Sequence, residues 1–317
     1  MRREATLVVL GYSLLTVFFT YPLAFNPATL TYRLNNGDSQ WSIWVVSWVA
    51  HALTTDPLHV LDANIFHPHR FTLAYSEMNL GAGALAVPVY WLTGSAFAAH
   101  NSALLLSFVL SGCGTYYLAR YLSADRRAAA IAGILFAFAP HLFGHLPHIN
   151  LLMTAGIPFS MLALHRLADR PSPGRGAALG GAMGAQALFC GYYAVFVMLL
   201  VGYATLVLAA SRRDWTNRRY WGAIAVAAGT ALAVTGPLLV PYLTLDPDTG
   251  FNRSAEAARE FSADWRAYLA SSSYAHSWLL ALAGKWTDVL FPGFLALGLG
   301  GAGFVAGWRG GGRARET

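Results

Sequence analysis

Asp38 stands at the start of GDSQWSIWVVSWVAHAL, residues 37–53, in a polar break that separates one strongly apolar segment from a run of several more. The same break, about residues 26–97, also carries Asp56, Asp62, His67, His69, Arg70 and Glu77. Ionisable groups kept beside a bilayer need a partner, usually a substrate or a lipid head group. A carboxylate in such a place can take a proton from an attacking hydroxyl, the work of a general base. Its structural alternative is a cap, because Asp is a preferred N-cap residue and a helical stripe begins near Gln40 or Trp41.

Two further groups of residues have types suited to binding. APHLFGHLPHIN places His141, His145 and His148 within eight positions, His141 and His145 at a spacing that puts them on one helical face, with Pro147 breaking the helix before His148. They are suited to a divalent metal, to a phosphate or to the interface itself. No carboxylate neighbours them, so a metal would need Asp38, Asp62 or an acid from the second polar loop. FHPHRF places His67, His69 and Arg70 together, with Arg33 upstream and Arg253, Arg259 and Arg266 downstream. Arginine is the usual fork for phosphate oxygens; surface solvation is the plain alternative for each of these.

Other patterns carry less. Asp246-Pro-Asp248 spells an acid-x-acid motif but fits a turn after an apolar helix. Gly180, Gly181 and Gly184 have the small-residue spacing of helix packing. No Walker, dinucleotide or Ser-His-Asp pattern occurs.

Composition places these residues in a membrane. With 56% hydrophobic and 11% charged residues, the chain lies outside the range of soluble domains and reads as an all-α integral membrane protein. Cys113 and Cys190 lie inside apolar segments and read as small buried hydrophobes. The formal charge of +6 is dispersed in short basic clusters between apolar runs, as orientation signals are, which argues against nucleic acid.

About eight transmembrane helices are expected. The first covers about residues 5–25 and follows Arg2 and Arg3; it is long, and no small-x-small site follows it, so it reads as a retained helix with a cytoplasmic N-terminus. The long first outer loop then holds a tryptophan-rich stripe, Trp41, Trp44 and Trp48, read as a helix of about 13 residues along the outer interface. Residues 80–92 are apolar but interrupted by Gly81, Gly83 and Pro88 and ended by Gly94, a juxtamembrane or re-entrant pattern. Keeping them outside lets residues 101–122 deliver Arg120, Arg126 and Arg127 to the cytoplasm. Spans follow at about 128–143 and 151–167. The run 177–210 is too long for one helix and is split at Gly191-Tyr192-Tyr193; 221–242 contains Pro237 and Pro241, which should kink or end it. A second outer loop, 244–286, carries a short amphipathic helix, and 289–308 returns the chain to a basic cytoplasmic tail.

One helix, a long outer loop with an early acidic residue and interfacial helices, then short-looped helix pairs: this order resembles the GT-C superfamily of membrane glycosyltransferases. GDSQWSIWVVSWVAHAL, NIFHPHRFTLA, GCGTYYLARYLSADRRAAAIAGILFAFAPHLFGHLPHINLL and ALFCGYYAVF look like the bacterial membrane proteins of its YfhO-type branch. The similarity runs to about residue 242. It implies a polyprenyl-phosphate-linked sugar as donor, a cell-envelope acceptor, contact with membrane lipids, and Asp38 as catalytic base or acceptor-positioning group. The base would deprotonate an acceptor hydroxyl as it attacks the anomeric carbon and the lipid phosphate leaves. Arg70, His67, His69, His141, His145, His148 and Arg253 would contact substrate. No cofactor is demanded, and a divalent metal is the one the histidines would admit; some relatives have an acidic motif in the loop that here carries the histidines, after the span at about 128–143, and this chain lacks it.

Three readings compete. An inverting GT-C-type transferase at the outer face of the plasma membrane is the first. A transporter or lipid flippase is the second, and would be expected to show inverted repeats and mid-helix charges. A non-catalytic or truncated member is the third, since many relatives continue with more helices or an outer domain.

Overall fold

The computed structural model describes residues 2–32, 34–244, 254–260, 262–283 and 289–310. Among them there are helices and turns and no strand. In chain order the helices are α1 Arg2–Phe19, α2 Gly37–Thr55, α3 Leu80–Thr93, α4 Ala96–Ser123, α5 Arg126–Ala137, α6 Pro140–Gly144, α7 Ile149–Leu152, α8 Gly156–Asp169, α9 Pro173–Phe189, α10 Gly191–Ser211, α11 Arg218–Thr244, α12 Ala255–Glu260, α13 Trp278–Ala283 and α14 Phe294–Gly310. They divide into two compact units, Met1–Ala137 with Pro147–Tyr242, and Phe138–Leu146 with Leu243–Thr317.

Among the described residues five stretches are long and apolar enough to cross a membrane: α4, Arg126–Gly144, Ile149–Asp169, α10 and α11. Three more of the segments expected to cross are also helical. α1 has 18 residues with Arg2, Arg3 and Glu4 in its first turn, and α9 and α14 have 17 each. The long apolar run does break, at Cys190, whose extended backbone (φ −159°, ψ 119°) separates α9 from α10. α9 opens on Ser172, whose hydroxyl accepts the Arg175 N–H, with Pro173 in the first helical position where its missing donor costs nothing. Pro237 and Pro241 do not end α11, which continues to Thr244.

Within the first unit, direct contacts gather the basic helix ends at one pole. Glu4 of α1 pairs with Arg120 of α4 (3.5 Å) and Arg126 of α5 (3.0 Å). Asp169 at the end of α8 pairs with Arg212 just after α10 (2.8 Å) and accepts a hydrogen bond from Tyr121 of α4. Arg175 of α9 donates to the carbonyls of Arg166 (2.7 Å) and Arg170 (2.9 Å) at the end of α8. Between α4 and α5, the Asp125 carboxylate accepts the first-turn N–H groups of Arg127 and Ala128, which holds its pKa below the usual range.

The other pole is assembled from the 26–97 segment. Near the start of α4, Asn101 is fully buried and donates to the carbonyls of Pro27 (2.8 Å) and Leu30 (2.6 Å). The hydroxyl of Tyr193, near the start of α10, donates to Leu151 O at 3.0 Å. α3, with 14 residues or about 21 Å, is too short to cross a hydrocarbon core of about 30 Å. It ends, as expected, on Gly94 in the left-handed conformation (φ 63°).

α9 and α11 meet through small residues. A Cβ on Gly180 would lie 2.2 Å from the carbonyl oxygen of Ala227, and one on Gly176 2.3 Å from that of Ala223, so only hydrogen fits at this crossing. Gly184 continues the stripe against Val234, whereas Gly181 faces open space and is not part of it. Close backbone approach of this kind supplies packing where apolar burial alone gives little drive.

The second unit holds α6, α12, α13 and α14 together with residues 265–277. Its small core is Ala270 and Val289 with Leu280 against them. Two backbone bonds close it, Leu290 N–H to Ala267 O and Phe291 N–H to Ala270 O, both 3.0 Å. α12 is the short helix expected in the second polar loop.

Candidate functional site

The site begins with the cap of α2. Asn36, in extended conformation, accepts the Asp38 N–H through its side chain at 2.7 Å, so Asn36 is the N-cap and Asp38 lies within the first turn. The alternative that Asp38 itself caps a helix starting near Gln40 or Trp41 is thereby corrected. Asn and Asp cap about equally well, and in NNGD the helix takes the earlier one. The Asp38 carboxylate is left with no capping duty and its side chain is 59% exposed.

Asp38 and Ser42 stand four residues apart on one face of α2. Ser42 is buried and donates to the carbonyl of Pro147 at 2.7 Å. That bond fixes the next residue, His148, which ends the connection ahead of α7. Its Nε2 lies 3.2 Å from Asp38 Oδ2. Two positions more than a hundred residues apart in sequence are thus placed together by one hydrogen bond on a neighbouring turn. Trp41 and Trp44, on the following turn, bring their rings to 4.8 Å, and the Trp41 indole N–H is buried with no hydrogen-bond partner.

α2 itself differs from expectation. It has 19 residues rather than about 13, because Asn36 starts it early. Thr54 and Thr55 extend it by returning their hydroxyls to the His51 carbonyl (2.8 and 2.9 Å). Val45, Val46, Val49 and Ala50 are fully buried, and α2 packs on α3 and α4; the indole N–H of Trp48 donates to Val60 O at 2.9 Å.

FHPHRF is the tip of a closed loop. Asp62 accepts the Phe71 N–H at 2.7 Å, Thr72 donates to Ala63 O at 3.0 Å, and the Leu73 N–H donates to Leu61 O at 3.0 Å. Arg70 lies 3.5 Å from Asp62 and over the Phe71 ring, so it braces this closure. His67 and His69 are exposed at the tip.

The histidine group does not act as one. His141 and His145 belong to the second unit, with rings 4.3 Å apart as their spacing implied, but each Nδ1 is engaged by backbone: His141 by Val289 O (3.1 Å) and His145 by His141 O (2.8 Å). His148 belongs to the first unit with Asp38. Among the described residues no three His, Cys, Asp or Glu side chains converge as metal donors. Arg253, Arg33, Asp246 and Asp248 lie outside the described residues.

Asn79 was not singled out by the sequence, and Glu77 was named only as one of several ionisable groups in the polar break. Glu77 accepts the N–H of Gly191, the first residue of α10, at 3.2 Å, and burial pushes its carboxyl pKa up against that bond. The CGYY break already pointed to a special backbone position; nothing in the sequence tied it to Glu77, 114 residues earlier.

No protein-family model, curated protein or solved structure matches this chain.

Proposed function

We propose that the chain is an inverting membrane glycosyltransferase of the GT-C type, transferring a sugar from a polyprenyl-phosphate donor to a cell-envelope acceptor at the outer face. The observation that carries this reading is the exposed Asp38 carboxylate, relieved of capping by Asn36 and held 3.2 Å from His148. In this reading the acceptor O–H gives its proton to Asp38 as its oxygen bonds to the anomeric carbon. The bond from that carbon to the phosphate oxygen breaks, and its electron pair leaves with the lipid phosphate. His148 orients the carboxylate and, when protonated, offsets charge beside the leaving group. The half-buried indoles of Trp41 and Trp44 offer an apolar face for a sugar ring.

The topology fits the same proposal. The proposal takes the five stretches long and apolar enough to cross, together with α1, α9 and α14, as eight spans, with both termini and the basic pole in the cytoplasm. Asp38, His67, His69, Arg70 and His148 then face outward. Arg70, engaged by Asp62 through one nitrogen, keeps further N–H donors for a phosphate, and Arg253 is assigned the same role. The test is incubation of the purified protein with a panel of polyprenyl-phosphate sugars, read by mass spectrometry. Donor binding with transfer supports the proposal; movement of an unaltered lipid across a vesicle, without transfer, would favour the flippase.

A further inference from the structure

A cavity of about 450 Å³ lies in the first unit, walled by α9, α10 and α11 and closed at one end by residues 77–80. Its volume is in the range of small-molecule sites. Along α11 its lining runs from Ala228 to Tyr242, roughly 21 Å at the helical rise, with apolar side chains such as Met183, Met198 and Leu232 along the way. Those dimensions match one extended hydrocarbon chain.

The polar end has an uncommon character. Glu77 contributes a carboxylate whose Oε2 already holds the Gly191 N–H. Asn79 is only 3% exposed; its Nδ2 donates to the Glu77 carbonyl at 3.0 Å, which fixes the orientation of the amide. The other amide atom, Oδ1, is buried and has no hydrogen-bond partner. A buried acceptor left unpaired is costly, and a bound donor would relieve it. Among the described residues no Lys, Arg or His lines the cavity, so a phosphate or carboxylate placed there would meet a carboxylate and an amide oxygen and none of their cations.

We propose that this cavity binds a single-chain lipid whose head group presents hydroxyl donors, with Asn79 Oδ1 and Glu77 accepting from the head group and the chain lying between α9, α10 and α11. The site is distinct from Asp38 and its ligand is not the phosphate-linked donor, whose charge the polar end would repel. The inference therefore stands without the transferase reading.

The test uses the full purified chain in native mass spectrometry, with monopalmitoylglycerol and hexadecyl phosphate as probes. One monopalmitoylglycerol per chain is expected, bound at least tenfold more tightly than hexadecyl phosphate. Asn79→Gly removes the acceptor while tolerating the left-handed backbone at this position (φ 51°), and should weaken monopalmitoylglycerol about tenfold. Met198→Trp fills the chain-binding part from a side chain that is 55% exposed, so the fold should survive it, and should abolish binding. Equal or tighter binding of hexadecyl phosphate, or unchanged binding in Met198→Trp, would overturn the proposal. Sugar transfer is not measured here, so failure of this proposal and failure of the Asp38 mechanism are separately visible.

Discussion

The division of labour between Asn36 and Asp38 can be separated by substitution. Asn36 is the residue that satisfies an orphan N–H of α2, at 2.7 Å, so Asn36→Ala should cost about 1 kcal/mol of stability. Asp38 makes no capping bond. Its carboxylate contributes its charge beside the helix N-terminus, typically about 0.3–1 kcal/mol and less where it is well solvated, and an exposed contact with His148, of the kind typically worth about 0–1 kcal/mol. Its side chain is 59% exposed, which puts it at the low end of that range, so Asp38→Ala should be clearly less destabilising than Asn36→Ala and Asp38→Asn nearly neutral. Equilibrium unfolding in mixed detergent micelles, with both single variants and the double variant, measures this. If Asp38→Ala proves as destabilising as Asn36→Ala and the double variant adds nothing, Asp38 is part of the cap and the assignment of a free carboxylate fails.

Three other outcomes follow from the same structure. Gly180→Leu should cost about 1–3 kcal/mol or prevent folding, because its Cβ meets the Ala227 backbone at 2.2 Å, while Gly181→Ala, in open space, should be neutral or slightly stabilising; comparable losses at both would contradict the α9–α11 crossing. Burial raises the folded-state pKa of Glu77, so its protonation favours the folded state at acid pH, and that contribution is lost as pH rises above the ordinary value of 4.5 through the raised one. Glu77→Gln should remove this part of the pH dependence, seen as a flatter stability profile; an unchanged slope would mean that the carboxyl is solvated. Single cysteines at Arg213 and His67 should differ in labelling of intact cells by an impermeant reagent, with only position 67 reacting, and strong labelling at 213 would refute the eight-span arrangement.

Much of the helical plan was legible because it rests on apolar length and on basic clusters. The break at Cys190 is required once a run too long for one helix must return Arg212 to the side of Arg166, and the pair between Arg212 and Asp169 is the physical form of that return. The long polar segment after α1 was less legible. A cap is chosen by which of several equivalent residues meets the backbone, and Asn36 precedes Asp38 in a stretch where either would serve. The bracing of Arg70 by Asp62 depends on left-handed residues at Phe66 and Phe71, which no propensity would place there. His148 was legible as one of a histidine group, yet its partner is a carboxylate brought to it by Ser42. Asn79 gave no signal, and Glu77 none beyond its place among the ionisable groups of the polar break, since their meaning lies in a helix start and a cavity formed by chain far downstream.

The most direct test of the catalytic assignment is the single-turnover rate of sugar transfer by Asp38→Asn, measured beside donor affinity on the same preparation. Asn keeps the size of the side chain and removes the proton acceptor, and loss of a general base typically costs about a hundred- to ten-thousand-fold in rate. The account predicts a loss of that size with donor affinity and stability unchanged; transfer by Asp38→Asn at the parent rate would contradict it.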